Sequence, residues 1–296
     1  MKAETQLCLC LVVLVTVLSG VNPSTSHQSN TKRASGTELF RHTTFTDGSI
    51  SEALSDFHVQ NMWGANALSV VPDPAGGTDK VLRVHYAKGS FSHTHDRDYG
   101  AGFYATPIPP RTAMMLSYDV FFQDNFHFVL GGKLPGLWGG AMKSCSGGRH
   151  SDDCFTTRFM WRDGARGEVY VYLPPAEQTG SFCNRTDVEC FPLKGNSLGR
   201  GKWHFKLNQW QNMAQYVHLN DIGQRNGYVK VFVDGQKVYE GRDLVLRTKS
   251  SINIDGMYFS TFFGGANSSW ATPVDTHTYF KNFVFSTDPD HPTMIG

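Results

Sequence analysis

The chain has 296 residues, 27 Lys+Arg against 26 Asp+Glu, and a formal net charge of +1 at pH 7. A charge so close to zero provides no whole-molecule field for steering onto a polyanion, and with no recognised binding motif nucleic acid is set aside as a partner. An acidic ligand has to be met by a local cluster of cations.

In chain order, the N-terminus reads as a targeting segment. Met1-Lys2 precedes an apolar run from Leu7 to Leu18, followed by Ser19 and Gly20. That is the basic start, apolar stretch and small-residue exit of a secretory signal peptide over residues 1–20. The run is too short to span a bilayer, and no other apolar run is long enough, so a secreted, extracellular protein without a membrane segment is expected. Residues 21–35, rich in Ser, Thr, Asn and Gln, read as a flexible leader. Residues 36–296 suffice for a single β domain with its own core.

Of six Cys, Cys8 and Cys10 fall in the signal peptide. The others allow several pairings, of which the local one, Cys145–Cys154 with Cys183–Cys190, is preferred. Export makes disulfides natural, and the Cys spacings do not match the short ligand pairs of a zinc site. Export also permits glycosylation of the sequons at Asn184 and Asn267.

Helical periodicity is scarce, with one short helix expected within 51–61. Strands are expected at 81–86, 101–105, 114–122, 126–130, 155–162, 168–173, 212–219, 227–233, 237–240, 252–263 and 278–285. Many short strands separated by turn residues indicate an all-β sandwich or barrel, and the 30 Gly and 21 Phe fit that class. Asp234-Gly235 lies between two alternating runs, the preferred pair for a two-residue hairpin turn.

Two stretches carry candidate chemistry. Gly131-Gly132-Lys133-Leu134-Pro135-Gly136-Leu137-Trp138-Gly139-Gly140 reads as a glycine-rich loop after a strand, leaving the Lys133 ammonium in an open groove. Leu134, Leu137 and Trp138 can pin it to the body beneath. The second stretch is the hairpin over 155–173. Alternation puts Phe155, Thr157, Phe159 and Trp161 on one face and Thr156, Arg158 and Met160 on the other. On the returning strand Val169, Val171 and Leu173 oppose Glu168, Tyr170 and Tyr172. Pairing apolar face with apolar face brings Arg158, Tyr170 and Tyr172 together. The Cys145–Cys154 bridge would bring Lys133 over that face. Neighbouring cations are expected to lower a Tyr pKa, and such a phenol can carry protons. Lys133 and Arg158 can neutralise a carboxylate and stabilise charge developing beside it. The matching reaction is removal of a proton next to a carboxylate, then β-elimination, with no metal or other cofactor required.

At these residues the chain resembles polysaccharide lyase family 14, the alginate lyases that include secreted digestive enzymes of marine gastropods. The resemblance rests on the Lys133-Leu-Pro-Gly element, on Thr156-x-Arg158 and on Tyr170-x-Tyr172-Leu-Pro. It implies a concanavalin-like jelly-roll β-sandwich with a concave substrate groove. It also implies endolytic cleavage of alginate, an acidic polysaccharide, with a preference for mannuronate blocks. Lys133, Tyr170, Tyr172 and Arg158 match the family's catalytic residues, with Tyr172 preferred for proton transfer. Thr156 stands where some relatives carry Ser.

Thr156, His95, Arg97, Tyr104 and Trp138 are taken as substrate-binding residues, with Tyr99 nearby. His93-Thr94-His95 would put two imidazoles on one strand face, and surface or groove placement is preferred to a metal pair. His218 and Asn220 are candidates for the groove, although a satisfied core position suits them better. Trp203 and Trp210 are read as core before sugar platforms. Lys143, Arg149, Arg162 and Arg166 would make the groove mouth basic. A serine hydrolase lacks its Gly-x-Ser-x-Gly elbow, and a carboxylate pair from Glu168 and Asp163 fits less well than the lyase. The alternatives are a lyase for another polyuronate, such as glucuronan, and a non-catalytic lectin-like module. A monomer is the default expectation.

Overall fold

The computed structural model describes residues 1, 36–94 and 96–295. The expected signal peptide beyond Met1, the leader and His95 lie outside the described residues. The first strands are β1 (Glu38–His42), β2 (Val59–Trp63), β3 (Leu68–Pro72), β4 (Lys80–Tyr86) and β5 (Ala101–Ala105). Next come β6 (Ala113–Phe122), β7 (Gly131–Gly140), β8 (Cys154–Arg162), β9 (Gly167–Tyr172), β10 (Val188–Glu189) and β11 (Asn196–Leu198). The last are β12 (Trp210–His218), β13 (Gly227–Val233), β14 (Gln236–Leu244), β15 (Gly256–Phe263) and β16 (Thr276–Ser286).

They form two eight-stranded sheets with antiparallel central pairings. One runs β14-β13-β12-β6-β16-β4-β3, with β1 on β16; the other runs β10-β11-β9-β8-β7-β15-β5-β2. This is the all-β jelly-roll sandwich expected from the sequence. Period-two alternation builds its core. Phe155, Phe159 and Trp161 of β8 and Val169 and Val171 of β9 meet Leu116, Tyr118, Val120 and Phe122 of β6 between the sheets. Each such side chain contributes about 1.5–3 kcal/mol by leaving water. The β13–β14 turn is as expected: Val233 pairs with Gln236, and Asp234 and Gly235 take φ of 49° and 75°.

The glycine-rich stretch differs from its expectation. It is no loop but β7, paired with β8 on one side and β15 on the other. Its glycines serve close approach. A Cβ on Gly132 would run into the Trp161 indole, and one on Gly136 into the backbone of Thr157 and Arg158. A bulge between Lys133 and Gly136 resets the alternation. Leu134 and Leu137 thereby both reach the core, while Lys133 and Trp138 face outward.

The strand expected at 126–130 is a turn. Phe126 N–H bonds Gln123 O, and Val129 sits at φ 48°, which extended pairing cannot accommodate. The Trp161 indole N–H bonds Phe128 O at 3.1 Å and fixes this segment to the core. Of the helix expected within 51–61, only Ile50–Ala53 is α-helical, capped by Ser49 and Glu52. His58 at φ 48° ends the following turn, and the chain enters β2. His93 lies in a turn in which Phe91 and Thr94 bond each other, not on a strand.

Candidate active site

The outer face of the second sheet holds a cleft of about 650 Å³. Strand register explains its lining. β8 and β9 pair Thr156 with Tyr172, Arg158 with Tyr170 and Met160 with Glu168, while β7 sets Lys133 opposite Met160. Residues two apart on a strand share a face. Lys133, Arg158, Tyr170 and Tyr172 therefore line one cleft, as expected from the sequence.

Lys133 is only 7% exposed. Its Nζ donates to Met160 Sδ at 2.9 Å and lies 3.7 Å from the Tyr170 ring centroid. A thioether and a ring face are weak partners for an ammonium. Burial, together with the charges of Arg158 and Arg162, pushes the Lys133 pKa well below the lysine range. Arg158 is 2% exposed, bonds Ser260 Oγ at 3.2 Å, and stacks 4.7 Å from the Tyr258 ring centroid. Neither Lys133 nor Arg158 forms an ion pair with a carboxylate among the described residues.

The phenols are held by backbone donors. Gly195 N–H donates to Tyr170 Oη at 2.9 Å, and Gly148 N–H to Tyr172 Oη at 2.8 Å. The rings meet edge to face, 5.7 Å between centroids. The expected lowering of the Tyr pKa is reversed at Tyr170. Burial, reinforced by Tyr172, holds it above the ordinary phenol value and outweighs the opposing charge of Arg158.

Both expected disulfides are present, Cys145–Cys154 and Cys183–Cys190. The first closes the loop that carries Gly148 to Tyr172. The second precedes the segment carrying Phe191, Lys194 and Gly195 to the cleft. Asn184 and Asn267 are both exposed.

The expected binding residues separate. Thr156 is buried and its hydroxyl donates to Cys145 O, a structural tie away from the cleft lining. Tyr104 and Trp138 are buried against Tyr258, which lines the cleft, and are not part of the lining themselves. Tyr104 Oη accepts from Lys143 N–H, and burial raises its pKa to about 12. Arg97 is exposed and pairs with Asp96 and Lys88 O instead of reaching the cleft. His93 and Tyr99 do line it. His218 stacks on Tyr228 on the other sheet, and Asn220 is buried, accepting from the N–H groups of Leu246 and Arg247. Trp203 is core, and Trp210 packs on Phe121 and bonds Asp73. Arg149 and Arg162 line the cleft, whereas Arg166 pairs with Asp163 on the β8–β9 turn. Sequence reasoning missed Trp63, Lys194, Tyr258 and Trp270. For Tyr258 a signal existed, since it alternates with Met257 and Phe259 within an expected strand. Lys194 and Trp270 arrive on loops, which carry no period. Among the described residues no cluster of three or more His, Cys, Asp or Glu could hold a metal.

Fold and lining together define a β-sandwich with an open, cationic cleft of the polysaccharide-processing kind. Residues 74–283 match the model of polysaccharide lyase 14, so the chain belongs to that family of polysaccharide lyases. The crystal structure of an alginate lyase from Aplysia kurodai is similar, with 38% identity and a TM-score of 0.79, covering 85% of this chain and 100% of that one. An alginate lyase from a Chlorella virus shares the fold at 22% identity and a TM-score of 0.67, covering 79% of this chain and 94% of that one. Exolysin of Paramecium bursaria Chlorella virus 1 is 30% identical over 196 residues, 58% of this chain. The match spans only 29% of exolysin's length.

Proposed function

We propose that this protein is a secreted alginate lyase, carried by a single domain over residues 36–296, that cuts mannuronate-rich chains internally by β-elimination. The observation that carries the reading is the pairing of two buried basic side chains with no carboxylate partner among the described residues, Lys133 and Arg158, with two phenols in one cleft. Lys133 and Arg158 take the carboxylate of the sugar at the cleavage point. Neutralising that carboxylate acidifies the C5 hydrogen. Tyr172, entering the step as its phenolate, accepts the proton at Oη, and the electron pair of the broken C5–H bond forms the C4–C5 double bond as the C4–O bond breaks. Tyr170, which burial keeps protonated, donates its proton to the leaving oxygen. Lys133 and Arg158 stabilise the charge that builds on the carboxylate in between. The related alginate lyase from Aplysia kurodai supports alginate as substrate. The two disulfides suit export into an oxidising compartment.

The test is ultraviolet absorbance of unsaturated ends when the purified protein meets polymannuronate, polyguluronate or glucuronan, with viscosity followed in parallel. A rise on polymannuronate, with viscosity collapsing before many ends accumulate, is the expected result. A rise on glucuronan alone would transfer the substrate. No rise on any polymer, from folded protein, would leave a binding module.

A further inference from the structure

Arg162 ends β8, on the same face as Arg158 and Met160, and lines the cleft while only 8% exposed. Its Nη2 lies 2.8 Å from Glu168 Oε1, and its Nε has no partner among the described residues. Its guanidinium sits 6.0 Å from the ring centroids of both Tyr170 and Trp270. Glu168 is fully buried and also accepts from Ser197 Oγ at 2.6 Å and Arg200 Nε at 2.6 Å. Burial would raise the Glu168 pKa, but Arg162 and Arg200 hold it below the usual carboxylate value. The charges then nearly balance, because Arg200 also pairs with Glu189. Glu168 is thus an anchor: it fixes Arg162 at the cleft wall and shares Arg200 with Glu189.

The two cleft arginines turn apart. Arg158 reaches past β7 to Ser260 and Tyr258 on β15, whereas Arg162 turns to Glu168 on β9. Their Cα atoms are four strand residues apart, about 13 Å along β8. One carboxylate held by Lys133 and Arg158 leaves Arg162, already anchored by Glu168, to meet another. Trp270, stacked over Gly265, offers a ring face beside it.

We propose that Arg162, positioned by Glu168 and flanked by Trp270, binds the carboxylate of the sugar adjacent to the one being cleaved. The cleft is thereby selective for polymers charged on consecutive sugars. This rests on the lyase reading above. Arg162 is here a substrate-binding residue and Glu168 a positioning residue.

The experiment compares wild type with Arg162→Met, Arg162→Lys and Glu168→Gln on polymannuronate and on the same polymer with a fraction of its carboxylates reduced to alcohols. Arg162→Met should raise KM on the intact polymer by about 10- to 100-fold, the scale of losing a charge-assisted contact, with kcat nearly unchanged. Arg162→Lys should fall between, and Glu168→Gln should raise KM by less than Arg162→Met. On the reduced polymer the gap to wild type should narrow. An unchanged KM for Arg162→Met, or the same KM ratio on both polymers, would overturn the proposal; should Arg162→Met fail to fold, the Arg162→Lys ratios decide. A wild type that forms no unsaturated ends overturns the lyase reading and this one with it, whereas active wild type with unaffected Arg162 variants overturns this one alone.

Discussion

Lys281 and Lys133, one on each sheet, both sit over aromatic rings, but of the two only Lys281 has a carboxylate partner among the described residues. Lys281 on β16 holds its ammonium 4.5 Å from the Trp210 ring centroid and 2.7 Å from Asp73 Oδ2. Lys133 on β7 has the Tyr170 ring and the Met160 sulfur, and no carboxylate among the described residues. At Asp73, burial favours the neutral acid, but Lys281 and the Ala75 and Trp210 donors hold its pKa below the usual value. At Lys133, burial and two neighbouring arginines disfavour the charged amine. Lys281 completes a structural contact. Lys133 has a charged form that its surroundings disfavour and that a carboxylate entering the cleft would stabilise. Lys281, with its anion, is architecture, and Lys133, without one, is a binding group kept at the expense of stability.

Breaking the Lys133 side should give the largest effects. Lys133→Ala should lower turnover by about 10³-fold or more while the circular-dichroism spectrum stays native, since both carboxylate binding and charge stabilisation go with it. Tyr172→Phe keeps the ring and removes the proton carrier, so unsaturated ends should form about 10²- to 10⁴-fold more slowly. Replacing Cys145 and Cys154 together by Ser should lower stability by about 2–3 kcal/mol in a denaturant titration. It should also lower kcat, because the loop carrying Gly148 to Tyr172 is released. Lys281→Met should leave turnover unchanged and lower stability on the order of 2 kcal/mol, between the values for exposed and buried pairs. If Lys281→Met instead disabled turnover, the contrast between the two lysines would collapse.

Much of this site was legible in the sequence because it is written in period two. The faces of residues 155–162 and 168–173 follow from alternation alone, and they placed Arg158, Tyr170 and Tyr172 together. The Asp234-Gly235 turn followed from its need for positive φ. The glycine-rich stretch was misread because glycine relaxes the backbone for turning and also clears space for neighbours. Only the position of Trp161 above Gly132 distinguishes the two uses, and that is tertiary information. Tyr170 acidity was misjudged for a related reason. Its cationic neighbours are visible in the sequence, whereas the burial that outweighs them is not. Thr156 and Trp138 share the outward face but are covered by the 145–154 loop and by Tyr104 and Tyr258. Lys194 and Trp270 reach the cleft on irregular segments with no pattern to follow.

The most direct measurement is the melting temperature of Lys133→Met against wild type across pH, with turnover followed in the same preparations. Because the folded state disfavours the Lys133 proton that the unfolded chain keeps, wild-type stability falls as pH drops from the ordinary lysine range, about 10.4, toward the depressed value. Met fills similar space without a charge. The account predicts a variant with no turnover that melts above wild type at neutral pH, with the gap closing as pH rises through the ordinary lysine value. A variant that melts below wild type at neutral pH, or that still forms unsaturated ends, would contradict it.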